Sequence, residues 1–130
     1  MYSKYILERF QNPEYAGGLR GANGTGKATT GEDGEVVKIY IAVNDNEKIT
    51  NVRFKAYGGV CTIVACDVAC EMLERKSLED ALRLTSVDIL EEIRDIPESK
   101  EYTAMLVEEA IKNAVENYYK KKEKEEQKNN

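Results

Sequence analysis

The sequence predicts an α+β domain, a small antiparallel sheet of two or three strands with helices packed on one face. Three observations carry this. Val37, Ile39, Ile41 and Val43 alternate with Lys38, Tyr40 and Ala42, which is the period of a strand with one buried face. After the polar cluster Asn44-Asp45-Asn46-Glu47 the same period returns in Val52, Phe54 and Ala56, making an antiparallel hairpin. Beyond residue 101, Ala104, Val107, Ala110, Ile111, Ala114, Val115 and Tyr118 recur at helical spacing, so strands come early and helices late.

The remaining elements follow in chain order. Ser3 caps a short helix with Tyr5, Ile6, Leu7 and Phe10 on its apolar side, and Asn12-Pro13 stops it. Residues 15–34 are rich in glycine and poor in large apolar side chains, so they form a loop with a short edge strand expected near residues 24–29. A helix over residues 61–75 turns Ala65, Cys66, Ala69, Met72 and Leu73 toward the sheet and Asp67, Glu71, Glu74 and Arg75 to the opposite side. Ser77-Leu78-Glu79-Asp80 opens a further helix through Leu84, residues 88–94 form another, and Ile96-Pro97 breaks the pattern. The last helix runs from residue 101 to about 121. The sequence thus divides into one domain, residues 1–121, and a charged tail, residues 122–130, whose mixed signs read as disorder.

At 130 residues the domain can bury a core without disulfides or a structural metal. Three cysteines, an odd number, with no bilayer-spanning apolar run and no apolar leader, point to a cytoplasmic protein with reduced thiols. A net charge of -5 argues against nucleic acid as a partner, because phosphate binding needs a basic face.

Chemistry concentrates where the return strand passes through Gly58-Gly59 into a helix, since all the cysteines, Cys61, Cys66 and Cys70, follow within that stretch. A thiol at a helix start is expected to have a lowered pKa. Cys61 therefore has two readings: a thiolate that joins Asp33 and Glu35 in a mononuclear zinc or iron site, or a side chain that packs at the helix start. Cys66 and Cys70 lie one turn apart, within reach of no third ligand, and read as core. The loop ending Gly26-Lys27-Ala28-Thr29 lacks the Gly-Lys-Ser/Thr close of a phosphate cradle. No second carboxylate across a cleft from Asp33 and Glu35 can be identified for acid–base work.

Taken together, Asn12-Pro13 after a short helix, the glycine-rich loop, Lys38-Ile39-Tyr40-Ile41-Ala42-Val43-Asn44-Asp45, Arg53-Phe54-Lys55-Ala56-Tyr57-Gly58, Lys76-Ser77-Leu78-Glu79-Asp80-Ala81 and Glu108-Glu109-Ala110-Ile111-Lys112 resemble the IscU/NifU-type iron–sulfur cluster assembly scaffolds. The likeness covers residues 2–121. It implies a scaffold or binding protein rather than an enzyme, on which three cysteines helped by an aspartate hold a nascent iron–sulfur cluster. It also implies a cysteine desulfurase and an Hsp70-type chaperone as partners.

This sequence departs from the family at each ligand. The family's Cys-Gly-Asp turn matches Asp33-Gly34-Glu35, its second cysteine matches Gly59, and its third, often preceded by histidine, matches Thr103 after Tyr102. Soft sulfur ligands hold such clusters, whereas carboxylates and hydroxyls suit harder cations. The segment Ile96-Pro97-Glu98-Ser99-Lys100 stands where the family carries its chaperone-recognition motif, with Ile96, Pro97 and Lys100 as the matching residues. The expectation is a divergent scaffold-like protein that binds assembly partners or a metal ion without building a cluster. The alternative is a mononuclear metal- or thiol-dependent protein reusing the fold, centred on Cys61, Asp33 and Glu35.

Overall fold

The computed structural model describes residues 2–128. Its elements are α1 (Lys4–Gln11), β1 (Gly24–Thr29), β2 (Val36–Val43), β3 (Ile49–Tyr57), α2 (Val60–Leu73), α3 (Leu78–Arg83), α4 (Ser86–Ile93), a single 3-10 turn (Glu98–Lys100) and α5 (Tyr102–Lys128). The three strands lie antiparallel in the order β1-β2-β3, as the hairpin and the short strand at residues 24–29 predict.

Register puts Gly26 opposite Ile39 and Ile39 opposite Phe54, so one face of the sheet is apolar and covered by α5 and α2. The other face carries the exposed Lys27, Lys38, Asn51 and Lys55. Every member of the stripe read for the last helix, from Ala104 to Tyr118, is buried.

Local caps set the short helices. Ser3 Oγ accepts from Ile6 N–H, Ser77 Oγ from Asp80 N–H, and Thr85 with Asp88 forms a reciprocal capping box that starts α4 at Ser86, two residues before the sequence-based boundary.

The structure revises two expectations. Helix α5 does not stop near residue 121 but continues to Lys128, so residues 122–128 are helical rather than a disordered tail. At the start of the extension Lys122 reaches Glu47 at 3.7 Å, next to a Tyr119 hydroxyl that donates to the same Glu47 at 3.1 Å and an exposed Lys120–Glu116 pair at 3.0 Å. Residues 129 and 130 lie outside the described residues.

Asp67, expected on the solvent side of α2, is 1% exposed. Helix α1 and the segment after it cross that side: Arg9 Nε donates to Asp67 Oδ2 at 2.7 Å, and Tyr15 N–H donates to Oδ1 at 2.8 Å. Arg9→Ala should cost about 3 kcal/mol in urea unfolding, because the carboxylate keeps its burial and loses its counter-charge. A loss below 1 kcal/mol, on the order expected of an exposed pair, would contradict this account.

The outer edge of β1 is not bare. Asn117 Oδ1 accepts from Thr25 N–H at 2.9 Å and Asn113 Nδ2 donates to the Lys27 carbonyl at 2.8 Å, so two side chains one turn apart on α5 satisfy backbone groups that a free edge would expose.

Candidate functional site

Three segments meet at one end of the sheet: the loop between β1 and β2, the turn between β3 and α2, and the start of α5. The first is shaped by Thr30, whose N–H donates to the Glu35 carbonyl at 3.0 Å and whose hydroxyl accepts from Glu35 N–H at 2.8 Å. The second is made by Gly58 and Gly59, with Gly59 as the N-cap of α2 and no side chain of its own to cap it. The third begins with Tyr102 and Thr103.

Glu35 joins them. Its Oε1 accepts from Gly59 N–H at 3.1 Å and from the Thr62 hydroxyl, and its Oε2 accepts from the Tyr102 hydroxyl. The carboxylate thus satisfies the N–H of the N-cap residue itself, as the acid of a capping box does, and brings a negative charge to the positive end of the α2 dipole. Burial pushes the Glu35 carboxyl up, but the bonds from Thr62, Tyr102 and Gly59 and the charge of Lys100 outweigh it and hold it below the usual range. The same contact raises the Tyr102 phenol to about 12, since ionising it would remove the hydrogen bond to Glu35 and place two anions together.

Asp33 is exposed on the β1–β2 loop, Gly59 is exposed, and Thr103 is buried, its hydroxyl donating to the Lys100 carbonyl at 2.7 Å. The positions matched to family ligands therefore do stand on the three converging segments. The proposed trio of Asp33, Glu35 and Cys61 does not converge: among the described residues no three His, Cys, Asp or Glu side chains come together as a metal site. Glu35 is taken up by its three donors and Asp33 faces solvent, which explains why a mononuclear site is not assembled here.

Cys61 also departs from expectation. It lies in the first turn of α2 but is 3% exposed, and burial raises its thiol above the ordinary value despite a hydrogen bond with Tyr2 and the charge of Lys100. Burial is the largest influence on this thiol and favours its protonated form, and Cys61 packs in the first turn of α2. Cys66 and Cys70 are fully buried in the core with their thiols pushed up by the same cause, as read from sequence. Ile96 and Pro97 are half-buried, and Glu98–Lys100 forms the 3-10 turn that leads into α5 beside Glu35.

Sequence reasoning passed over Thr62 and did not give Tyr102 a role. Tyr102 had one usable signal, its place where relatives carry histidine. Thr62 had none, because its partner lies 27 residues away.

No helix among the described residues is long and apolar enough to cross a membrane. Comparison with known proteins matches the pattern of the NifU-like N terminal domain to residues 1–125. The chain is 32% identical over 121 residues to the iron-sulfur cluster assembly scaffold protein IscU 1 of Archaeoglobus fulgidus, covering 93% of this chain and 78% of that protein. It is 33% identical over 125 residues to the scaffold protein IscU of Escherichia coli strain K12, covering 94% and 97% respectively. Its fold superposes on the N-terminal part of a nitrogen-fixing NifU-like protein from Brucella abortus with a TM-score of 0.69, at 17% identity over 92% of this chain and 94% of the other. On the strength of the match along nearly its whole length, the chain belongs to the family of NifU-like N-terminal domains, the family that includes the IscU scaffolds.

Proposed function

We propose that this protein works in iron–sulfur cluster assembly as a scaffold-type binding protein with no catalytic activity, and that it binds assembly partners without building a cluster on the three family positions. Its relatives are named as scaffolds, and their family extends over nearly the whole chain. The observation that carries the divergent reading is that Asp33, Gly59 and Thr103 supply no thiol, while Glu35 beside them is committed to protein donors. Iron and sulfide need thiolates to be retained. The partners implied are a cysteine desulfurase and, through Ile96, Pro97 and Lys100, an Hsp70-type chaperone. Partner binding is favoured over metal binding because Asp33, Glu35 and Cys61 do not form a three-ligand group among the described residues.

Anaerobic incubation with ferrous iron, sulfide and a purified desulfurase tests this. The expected result is desulfurase binding, followed by calorimetry, with no sulfide-to-iron charge-transfer absorption retained after desalting. Stoichiometric absorption that disappears in Cys61→Ser would overturn the proposal, since it would mean that the buried thiol opens to ligate a cluster.

A further inference from the structure

Glu35 touches all three segments carrying the family ligand positions, and each of its side-chain bonds reaches a residue remote in sequence, 24, 27 and 67 positions away. We propose that Glu35 is a metal-independent clasp, whose carboxylate holds the β1–β2 loop, the β3–α2 turn and the start of α5 in one arrangement where relatives would rely on a bound centre to join them. The proposal rests on the family reading only for the identity of the three segments.

Four features support it. A carboxylate offers about four acceptor sites, and donors from two other segments occupy both of its oxygens. The backbone of Glu35 is set beforehand by Thr30, which bonds both its N–H and its carbonyl at 2.8 and 3.0 Å, so the side chain is aimed rather than free. The carboxylate is seated against a bare backbone: a Cβ at Gly58 would lie 2.7 Å from Glu35 Oε1, closer than any side chain allows. The charge of Lys100 favours the ionised, accepting form.

The turn residues Gly58 and Gly59, the loop residue Asp33 and the first residue of α5, Tyr102, are all exposed, so the contacts that join the three segments at the surface are polar. With the clasp in place, this end of the molecule is held together with no metal bound. Three donors occupy three of about four acceptor sites on Glu35, so a metal ion that took both carboxylate oxygens would compete with these bonds.

Native-state hydrogen exchange on the full chain, treated with chelator, tests the clasp in the wild type, Glu35→Ala, Gly58→Ala and Tyr102→Phe. In the first two variants the amides of residues 30–35, 58–62 and 101–104 should exchange about tenfold faster or more, together, while Ile39 and Val52 in the sheet keep their rates. Gly58→Ala retains the carboxylate but displaces it and brings a Cβ to 3.1 Å from Thr62 Cβ and Cγ2, so the same signature there reports the seating of the carboxylate together with its Thr62 donor. Tyr102→Phe removes one donor without disturbing the turn, and it should still quicken exchange at residues 58–62, because the effect passes through the carboxylate. That variant also decides the case if Glu35→Ala loosens the whole fold.

Adding Zn2+ to the wild type should leave the three segments unchanged. Independent responses of the segments, no response at residues 58–62 in Tyr102→Phe, or slowing of the wild type by Zn2+ would each overturn the clasp. Its failure is separate from failure of the proposed function, which is read by cluster absorption and not by exchange.

Discussion

A chain carrying Asp33→Cys, Gly59→Cys and Thr103→Cys should gain the ability to hold an iron–sulfur cluster, moving from no retained absorption to about one cluster per chain in the same reconstitution. The geometry favours this gain. At Gly59 nothing lies within 4 Å of the added Cβ, and its φ of -80° suits any residue. Thr103 is close in size to cysteine, and the substitution gives up one hydrogen bond to the Lys100 carbonyl. Asp33 sits exposed on the β1–β2 loop, where a thiol costs no packing.

A thiol at 59, an exposed position, would stand at the N-terminal end of α2, whose dipole favours thiolate over thiol, whereas one at 103 would start buried and be drawn to thiolate only by the iron it ligates. Any single substitution should do far less, because one soft ligand among oxygens does not retain iron and sulfide against a chelator. The measurement is charge-transfer absorption with acid-labile sulfide per chain. A triple variant that is folded by circular dichroism yet binds no cluster would mean that loss of the thiols is not what separates this chain from its relatives.

Gly26→Ala should lower stability by about 4 kcal/mol or more, near the upper end for a single methyl group. A Cβ on Gly26 would lie 2.0 Å from the Ala110 carbonyl oxygen and 2.2 Å from the Ala114 nitrogen. Both are main-chain atoms in the middle of α5, so no rotamer change can relieve the clash. Relief requires moving β1 or α5 outward, which breaks the bonds from Asn113 and Asn117 that close the sheet edge and opens the apolar seam over Ile39 and Ile41. Gly24 has the same relation one pair away, with the Ala114 carbonyl at 2.7 Å, so the contact is a stripe of two glycines against two alanines. Urea unfolding measures the loss, with the exposed Gly18→Ala, whose added Cβ would meet only the end of the Lys55 side chain at 3.5 Å, as the control expected to change stability by less than about 0.5 kcal/mol. If Gly26→Ala behaves like that control, close approach of the α5 main chain is not what requires glycine at position 26.

Much of the fold was legible because its signals are local. The two-residue period around Ile39 and Phe54 and the stripe from Ala104 to Tyr118 follow from pleat and helix geometry, and Ser3 and Ser77 cap the helices they precede. The short strand at residues 24–29 was readable from its glycines and threonines, but the reason for Gly26 was not, because α5 lies more than eighty residues further along. Asp67 and the tail were misread for related reasons. An acidic residue on a helix reads as solvated until an arginine 58 residues away is known to reach it, and a Lys/Glu run reads as disorder until Glu47 is known to lie beside it.

The sequence by itself determined the fold class, the family and the absence of thiols at positions 33, 59 and 103, since each is a matter of residue type at a known place along the chain. Only the tertiary structure decided what occupies the site instead. Burial raises the Cys61 thiol, because a thiolate there would lose its hydration. Glu35, which in the sequence was one acid in a glycine-rich loop, becomes the group on which three distant segments close, because a carboxylate can accept several bonds at once and the fold alone brings its donors within reach.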